Sequence, residues 1–431
     1  MSHRSVLRPL ALASGFSLVL GGMIGFGIHT VTAPASGASQ GDASQSQTVV
    51  PVTATATAEA LEATTKQTLP APAERLDVTV AFAGDVLLHM PVIQSARSGD
   101  GYDFTPLLEG VEEWIAGADL AIAQFETPVT PAGVAPSGYP VFGGPPEIAA
   151  GLAATGWDGA GCASNHALDR GFAGIEATID ALEEQGMGFA GTARTEAESK
   201  VTQFYRLTLG GQSITVAHLA ATYGLNGLPL PAGQPWSVEL IDTDELIEQA
   251  RQARADGADI VLVSIHEGVE YQTKPSARQR EIATALADSG QVDAMIGDHP
   301  HVAEPIELVP GGVDGDGMWT IWSMGNFISN QSDSTVGPNT DTGAVAYVHI
   351  TKEGSDAVVT AMTWSGVTVD TAHGHHIYML EDAADGATLG QISAASVQTR
   401  KDRLAAIMGD APEQTEPPVP SGATLEVLPR S

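Results

Sequence analysis

Polar residues able to bind metals or move protons fall at the ends of short apolar runs. Val78–Ala83 runs into Gly84-Asp85, and Leu120–Phe125 into Glu126. Asp158–Ala163 runs into Ser164-Asn165-His166, and Ile260–Ile265 into His266. Ala294–Gly297 runs into Asp298-His299-Pro300-His301, and Thr320–Met324 into Gly325-Asn326. Asp, Glu, Asn and neutral His are ligands for hard to borderline divalent ions. One ion takes about four to six donors, so the set suffices for two. A dinuclear site holds its ions about 3.5–4 Å apart and activates a bridging water. A carboxylate is the natural bridge, because its two oxygens reach both ions. Asp85 and Glu126 are the candidates. His299 and His301 stand two apart, which in an extended turn lets one loop reach two neighbouring ions. A His beside the ions but not on them would protonate a leaving group.

Positioning such a set requires strands that end at one edge. The runs above are short and β-rich, and Ile214–Leu219 and Ala344–Ile350 join them. Helical stretches lie between, at Phe172–Gln185, Asp242–Ala255 and Ser276–Ser289, with Thr243 as a candidate cap for the second. Strands alternating with helices predict an α/β protein. In an open α/β sheet the carboxyl ends of the strands share one edge, where ligands bind. Six strands then deliver the whole set to a single rim. From Trp319 to about Thr371 the strands follow with only turns between them, which predicts antiparallel strands closing the sheet.

These segments resemble the poly-gamma-glutamate capsule-synthesis family (CapA-type, also called PgsA-type). The resemblance rests on FAGDVLLH at 82–89, FETPV at 125–129, ASNHALDRG at 163–171, HEGVEYQTKP at 266–275, GDHPHVAEPIE at 297–307 and SMGNFI at 323–328. They run in family order across nearly the whole folded body. The resemblance implies a calcineurin-like metallophosphatase fold, a sandwich of mixed β-sheets flanked by helices with the site at the carboxyl ends of the strands. It implies two divalent ions (Mn, Fe, Zn or Mg). Asp85 and His301 would hold one and Asn165, His266 and His299 the other, with Glu126 where phosphoesterases keep a bridging Asp. His166 would be the general acid, oriented by Asp169; Glu270 and Asn326 match positions near the site. The chain departs from the family pattern at Leu87, Gln124, Ser164, Glu267 and Asp298. His89 lies four residues beyond Asp85, and reads as exposed or as a structural partner.

Composition sets the outer bounds. The chain has 431 residues, 43% of them apolar, enough for a sizeable core. It carries 19 Lys+Arg against 52 Asp+Glu, a net charge of −33. That argues against nucleic acid as a partner, since a phosphate backbone needs a basic face. The one cysteine, Cys162, rules out an intrachain disulfide and thiolate metal clusters, and reads as a buried core thiol. His218 and His349 lie inside strands and read as structural, and the tract His373, His375 and His376 as a solvated loop.

Arg4 and Arg8 precede an uncharged apolar run, Leu10–Ile28, so residues 1–29 read as a signal peptide or an N-terminal membrane anchor. Either places the bulk of the chain outside the cytoplasm, secreted or anchored. Residues 30–75 form an Ala/Thr/Ser/Pro spacer with no aromatic residue, too polar to fold. Residues 76–408 make the folded body, and 409–431 read as a flexible acidic, Pro-rich tail. Two functions fit. One is metal-dependent hydrolysis of a phosphoester or related bond while a capsule or surface polymer is made. The other is a non-catalytic part of an assembly complex, partnered by its membrane subunits, whose metal site grips an anionic polymer.

Overall fold

The computed structural model describes residues 75–430. The signal or anchor at 1–29 and the spacer at 30–75, up to residue 74, lie outside the described residues. Among the described residues no helix is long and apolar enough to cross a membrane.

Two mixed sheets pack face to face. In the first, Arg75–Val86 sits centrally. It pairs in parallel with Leu120–Gln124, followed by Gly159–Gly161 and Gly188–Ala190. On its other side it pairs antiparallel with Thr342–Glu353, then come Asp356–Val369 and Ile377–Met379. In the second sheet, Gln212–Thr222, Ile260–His266, Ala294–Asp298 and Met318–Met324 are parallel in that order. Antiparallel strands Ala303–Val309 and Gln203–Leu209 flank them.

Alternation along each strand builds the layers. Val78, Val80 and Phe82 face the second sheet and pack with Leu262, Ile296 and Ile321. Ala81 and Ala83 face the other way, against Ile148, Ile175 and Ile179 of the helices Glu147–Ala154 and Gly171–Glu184. On the second sheet, Val261, Val263 and Ile265 carry the helices Thr243–Ala255 and Ala277–Ser289 through Leu246, Ala250, Ile282 and Leu286. The product is helix, sheet, sheet, helix, an α/β sandwich.

The strands thus serve two sheets, and the single rim is shared between them. Met318–Met324 extends the second sheet in parallel, while Thr342–Glu353 and Asp356–Val369 close the first. Asp242, not Thr243, caps its helix: its carboxylate accepts from the amides of Asp244 and Glu245. Ser276 and Gln279 form a reciprocal capping box on the next helix.

The segment after Gly409 is ordered rather than frayed. Thr424–Leu428 adds a strand to the second sheet beside Gln203–Leu209. Arg430 is buried beyond it and donates to the carbonyls of Val201, Phe189, Thr192 and Glu198 at 2.8–3.2 Å. The composition of this stretch is that of a disordered tail, but an open sheet edge supplies its backbone partners. Arg430→Ala leaves four carbonyls without their donor and should cost about 2–3 kcal/mol, read by chemical denaturation. An unchanged midpoint would show that this clasp is dispensable.

Candidate metal centre

Asp85 reaches the rim because the backbone around it comes unusually close to a second strand. Asn326–Ile328 lies parallel to the end of Arg75–Val86, with Asp85 level with Asn326. The Asp85 amide donates to Gly325 O at 3.0 Å. A Cβ on Gly84 would stand 1.8 Å from that same oxygen. Gly84→Ala should therefore push the strands apart and destabilise the fold by about 3 kcal/mol or more, seen as a lower melting temperature. A neutral result would mean that the crossing is looser than this geometry.

Three buried residues then converge. Ligand atoms of Asp85, Glu126 and His301 all lie within 4.8 Å of one another. His301 Nδ1 is 3.0 Å from Asp85 Oδ2 and 3.8 Å from Glu126 Oε2. His266 enters from the second sheet. Its Nε2 lies 3.0 Å from Asn165 Oδ1 and 3.7 Å from Glu126 Oε1, while its Nδ1 meets the Gln124 amide at 3.1 Å. The His299 ring stands 5.0 Å from that of His266. His299 and His301 both hold positive φ, 100° and 59°, a strained arrangement for residues with a Cβ. On either side of Pro300, this backbone sets the His301 ring beside the carboxylates and the His299 ring beside that of His266.

The chemistry of this set fits divalent ions. Asp85 Oδ1, both Glu126 oxygens and Asp298 Oδ1 are buried with no hydrogen-bond partner, and so is His299 Nδ1. Buried acceptors left in that state are costly unless a cation or donor meets them. Burial, and then the Asp85 charge, push the Glu126 carboxyl well up. Burial with Asp85 and Glu126 does the same to Asp298. Burial drives His299 down to about 3 and His266 down as well, so both stay neutral, the form in which an imidazole can ligate a metal. Burial opposes protonation of His301 too, but Glu126 and Asp85 outweigh it and lift His301 to about 9. Without an ion, a proton on His301 is the local counter-charge.

His166 stands beside this group with its own support. Its Nδ1 is 2.7 Å from Asp169 Oδ2, which also accepts from the Phe142 amide at 2.7 Å. The Phe142 ring meets His166 edge-on at 4.7 Å. Asn226 bridges the two halves: its carbonyl accepts from Asn165 Nδ2 at 3.3 Å, and its amide lies 3.5 Å from His166 Nε2.

The remaining expected residues fall around the rim. The Asn326 amide donates to the His301 carbonyl at 3.2 Å and so holds that loop. Glu270 is exposed on the loop after His266. His89 is half-buried, 5.1 Å from Phe142, and burial pushes it down to about 4. His218 and His349 bond to Ser264 and Thr363 within their sheets, and Cys162 is buried and free. The tract at 373–376 is not solvated throughout: His375 is buried between Ser95 and Asn330. Asp298 and Gln124, which depart from the family pattern, take part directly. Asn226 belongs to no motif, and its one local signal is a left-handed backbone, φ 51°.

Comparison with known proteins decides the family. The profile of the bacterial capsule synthesis protein PGA_cap matches residues 79–331. The chain belongs to this family. All the residues described at the centre fall inside the matched PGA_cap segment. Curated relatives include the PGA biosynthesis protein CapA of Bacillus subtilis (strain 168), 32% identical over 194 residues, which are 45% of this chain and 47% of the relative. The capsule biosynthesis protein CapA of Bacillus anthracis is 31% identical over 178 residues, 39% of each chain. The chain thus spans less than half the length of the curated relatives it matches. Among solved structures, it is similar to the calcineurin-like phosphoesterase YfkN from Bacillus subtilis: TM-score 0.40, 13% identity, covering 77% of this chain and 98% of that one.

Proposed function

We propose that this PGA_cap protein is a two-metal hydrolase of phosphoester or related bonds, working outside the cytoplasm while a capsule or other surface polymer is made. The buried cluster of Asp85, Glu126 and His301, with its unpartnered carboxylate oxygens, carries the reading. Asp85, Glu126 and His301 would hold one ion, and Glu126, Asn165, His266 and His299 the other. Bound there, divalent ions supply an activated water and neutralise charge developing on the phosphoryl group. The chain's own part is to place the proton. Asp169 fixes Nδ1 of His166, so the proton to be donated sits at Nε2. His166 passes it to the leaving oxygen as the phosphorus–oxygen bond breaks, giving an alcohol and a phosphate from ester and water. Phe142 holds the ring against rotation. The export signal or anchor read at residues 1–29 supports the compartment, and the relatives' names support the pathway.

The test is metal content and turnover of the full chain with Mn²⁺ on phosphomonoesters and phosphodiesters. About two ions per chain and turnover of either class is the expected result. Bound metal with no turnover on any ester would instead favour a polymer-gripping component partnered by membrane subunits.

A further inference from the structure

All three exposed tyrosines among the described residues stand around the metal centre. Tyr139, Tyr223 and Tyr271 are 77%, 43% and 40% exposed. Each comes from a different loop at the carboxyl edge of the sandwich, and each is tied by ring contact to the site. Tyr223 lies 4.6 Å from the His299 ring. Tyr271 lies 6.1 Å from His301, and its amide donates to Pro300 O at 2.8 Å. Tyr139 packs 6.3 Å from Phe142, the ring that braces His166. Each tyrosine also has an exposed aliphatic neighbour on its loop: Val141, Leu228 and Val269 respectively. Single exposed apolar residues are ordinary on a protein surface. Three pairs on three loops around one polar centre form a collar, and collars of this kind mark a binding surface.

The collar and the centre together describe the occupant. The centre takes one anionic group. Its surround is tyrosine rings and exposed aliphatic side chains, which suits an apolar remainder of the ligand. A long polyanion is disfavoured by the net charge of −33 and by Glu267 and Glu270 at the rim. We infer that the substrate of this site is a phosphate ester of a long apolar alcohol, its head at the metal centre and its chain on the Tyr139, Tyr223 and Tyr271 collar. This rests on the hydrolase reading above. A sugar or nucleoside could also stack on tyrosine rings, but the three aliphatic neighbours favour a hydrocarbon.

The experiment is a chain-length series on the full chain with Mn²⁺. The substrates are ethyl, butyl, hexyl and octyl phosphate below their micelle concentrations, with glucose 6-phosphate and a nucleoside monophosphate alongside. The same alkyl lengths are measured as non-hydrolysable phosphonates by calorimetry. We expect kcat/KM to rise about twofold per methylene, half the free energy that full burial gives, mostly through KM. The octyl-to-ethyl ratio is the readout, since a general loss of activity does not move it. Tyr139→Ala, Tyr223→Ala and Tyr271→Ala should each lower that ratio. Val141→Asn with Leu228→Asn and Val269→Asn alters exposed side chains alone and should lower it too. Turnover with a flat series, or a preference for the sugar or nucleoside ester, would overturn the collar and leave the hydrolase standing. No turnover of any ester, with phosphonates binding more tightly as they lengthen, would overturn the hydrolase and support the collar. Flat phosphonate binding would overturn the collar whatever the turnover.

Discussion

Replacing Glu126 by Gln raises the melting temperature of the metal-free protein and removes most of the stabilisation that Mn²⁺ provides. Both halves follow from one geometry. Glu126 is wholly buried, its two oxygens lack partners, and Asp85 and Asp298 stand close by. Without an ion the carboxyl is raised well above its ordinary range, by burial first and Asp85 second. A carboxyl raised in the folded state contributes stability below the unfolded value of 4.5, and loses it as pH rises toward the folded value. The Glu126 contribution to the stability of the metal-free protein should therefore fall above about pH 4.5. Gln cannot ionise, so the metal-free variant should be steadier by about 1–3 kcal/mol at pH 8, roughly 2–4 °C in melting temperature. With Mn²⁺ the order reverses. An ion at 100 times its dissociation constant gives about 2.7 kcal/mol, and on the two-metal reading proposed above the variant lacks a shared ligand. Turnover should fall by more than the about 10–100-fold typical of a ligand's supporting partner. Calorimetry with chelator and with Mn²⁺, on both proteins, reads the crossover. Parallel curves would show that Glu126 faces no metal.

His166→Ala should cost about 10²–10⁴-fold in kcat on an alkyl phosphate, and far less on a nitrophenyl ester. An alkoxide is a poor leaving group and needs the proton at Nε2, whereas a nitrophenolate leaves without one. His166 pairs with Asp169 rather than with the Asp85, Glu126 and His301 group, so bound metal should be retained. Asp169→Asn should give a smaller loss with the same dependence on leaving group, because Asp169 acts through the ring it orients. Equal losses on both esters in His166→Ala would assign the residue to metal binding instead.

Much of this site was legible because each key residue sits where an apolar run stops. Asp85, His266 and Asp298 lie at the ends of strands, Glu126 and Asn326 stand two residues past one, and the carboxyl edge does collect them. The division into two sheets, which the family resemblance implied, was not legible in the strands themselves. Nothing local distinguishes Ile260–His266 from Leu120–Gln124, since both are buried on both faces. Only long-range pairing assigns them. The same reason hid the C-terminal strand, whose partner is Gln203–Leu209. Asn226 was missed because its role comes from the fold alone: a loop after Gln212–Thr222 lays it between Asn165 and His166. His375 was misjudged by composition, which cannot show that Ser95 and Asn330 enclose it.

Asp85 and His301 are 216 residues apart in the chain yet 3.0 Å apart at the centre. No short peptide of this protein contains the ligand set. A chain being threaded through a membrane as an unfolded polymer would carry scattered acids and imidazoles, but no assembled trap for an ion. Loading must then wait until both sheets have closed, and the pool of ions that matters is the one in the compartment where closure happens. The metal found in the native protein would thus be a record of where it folded.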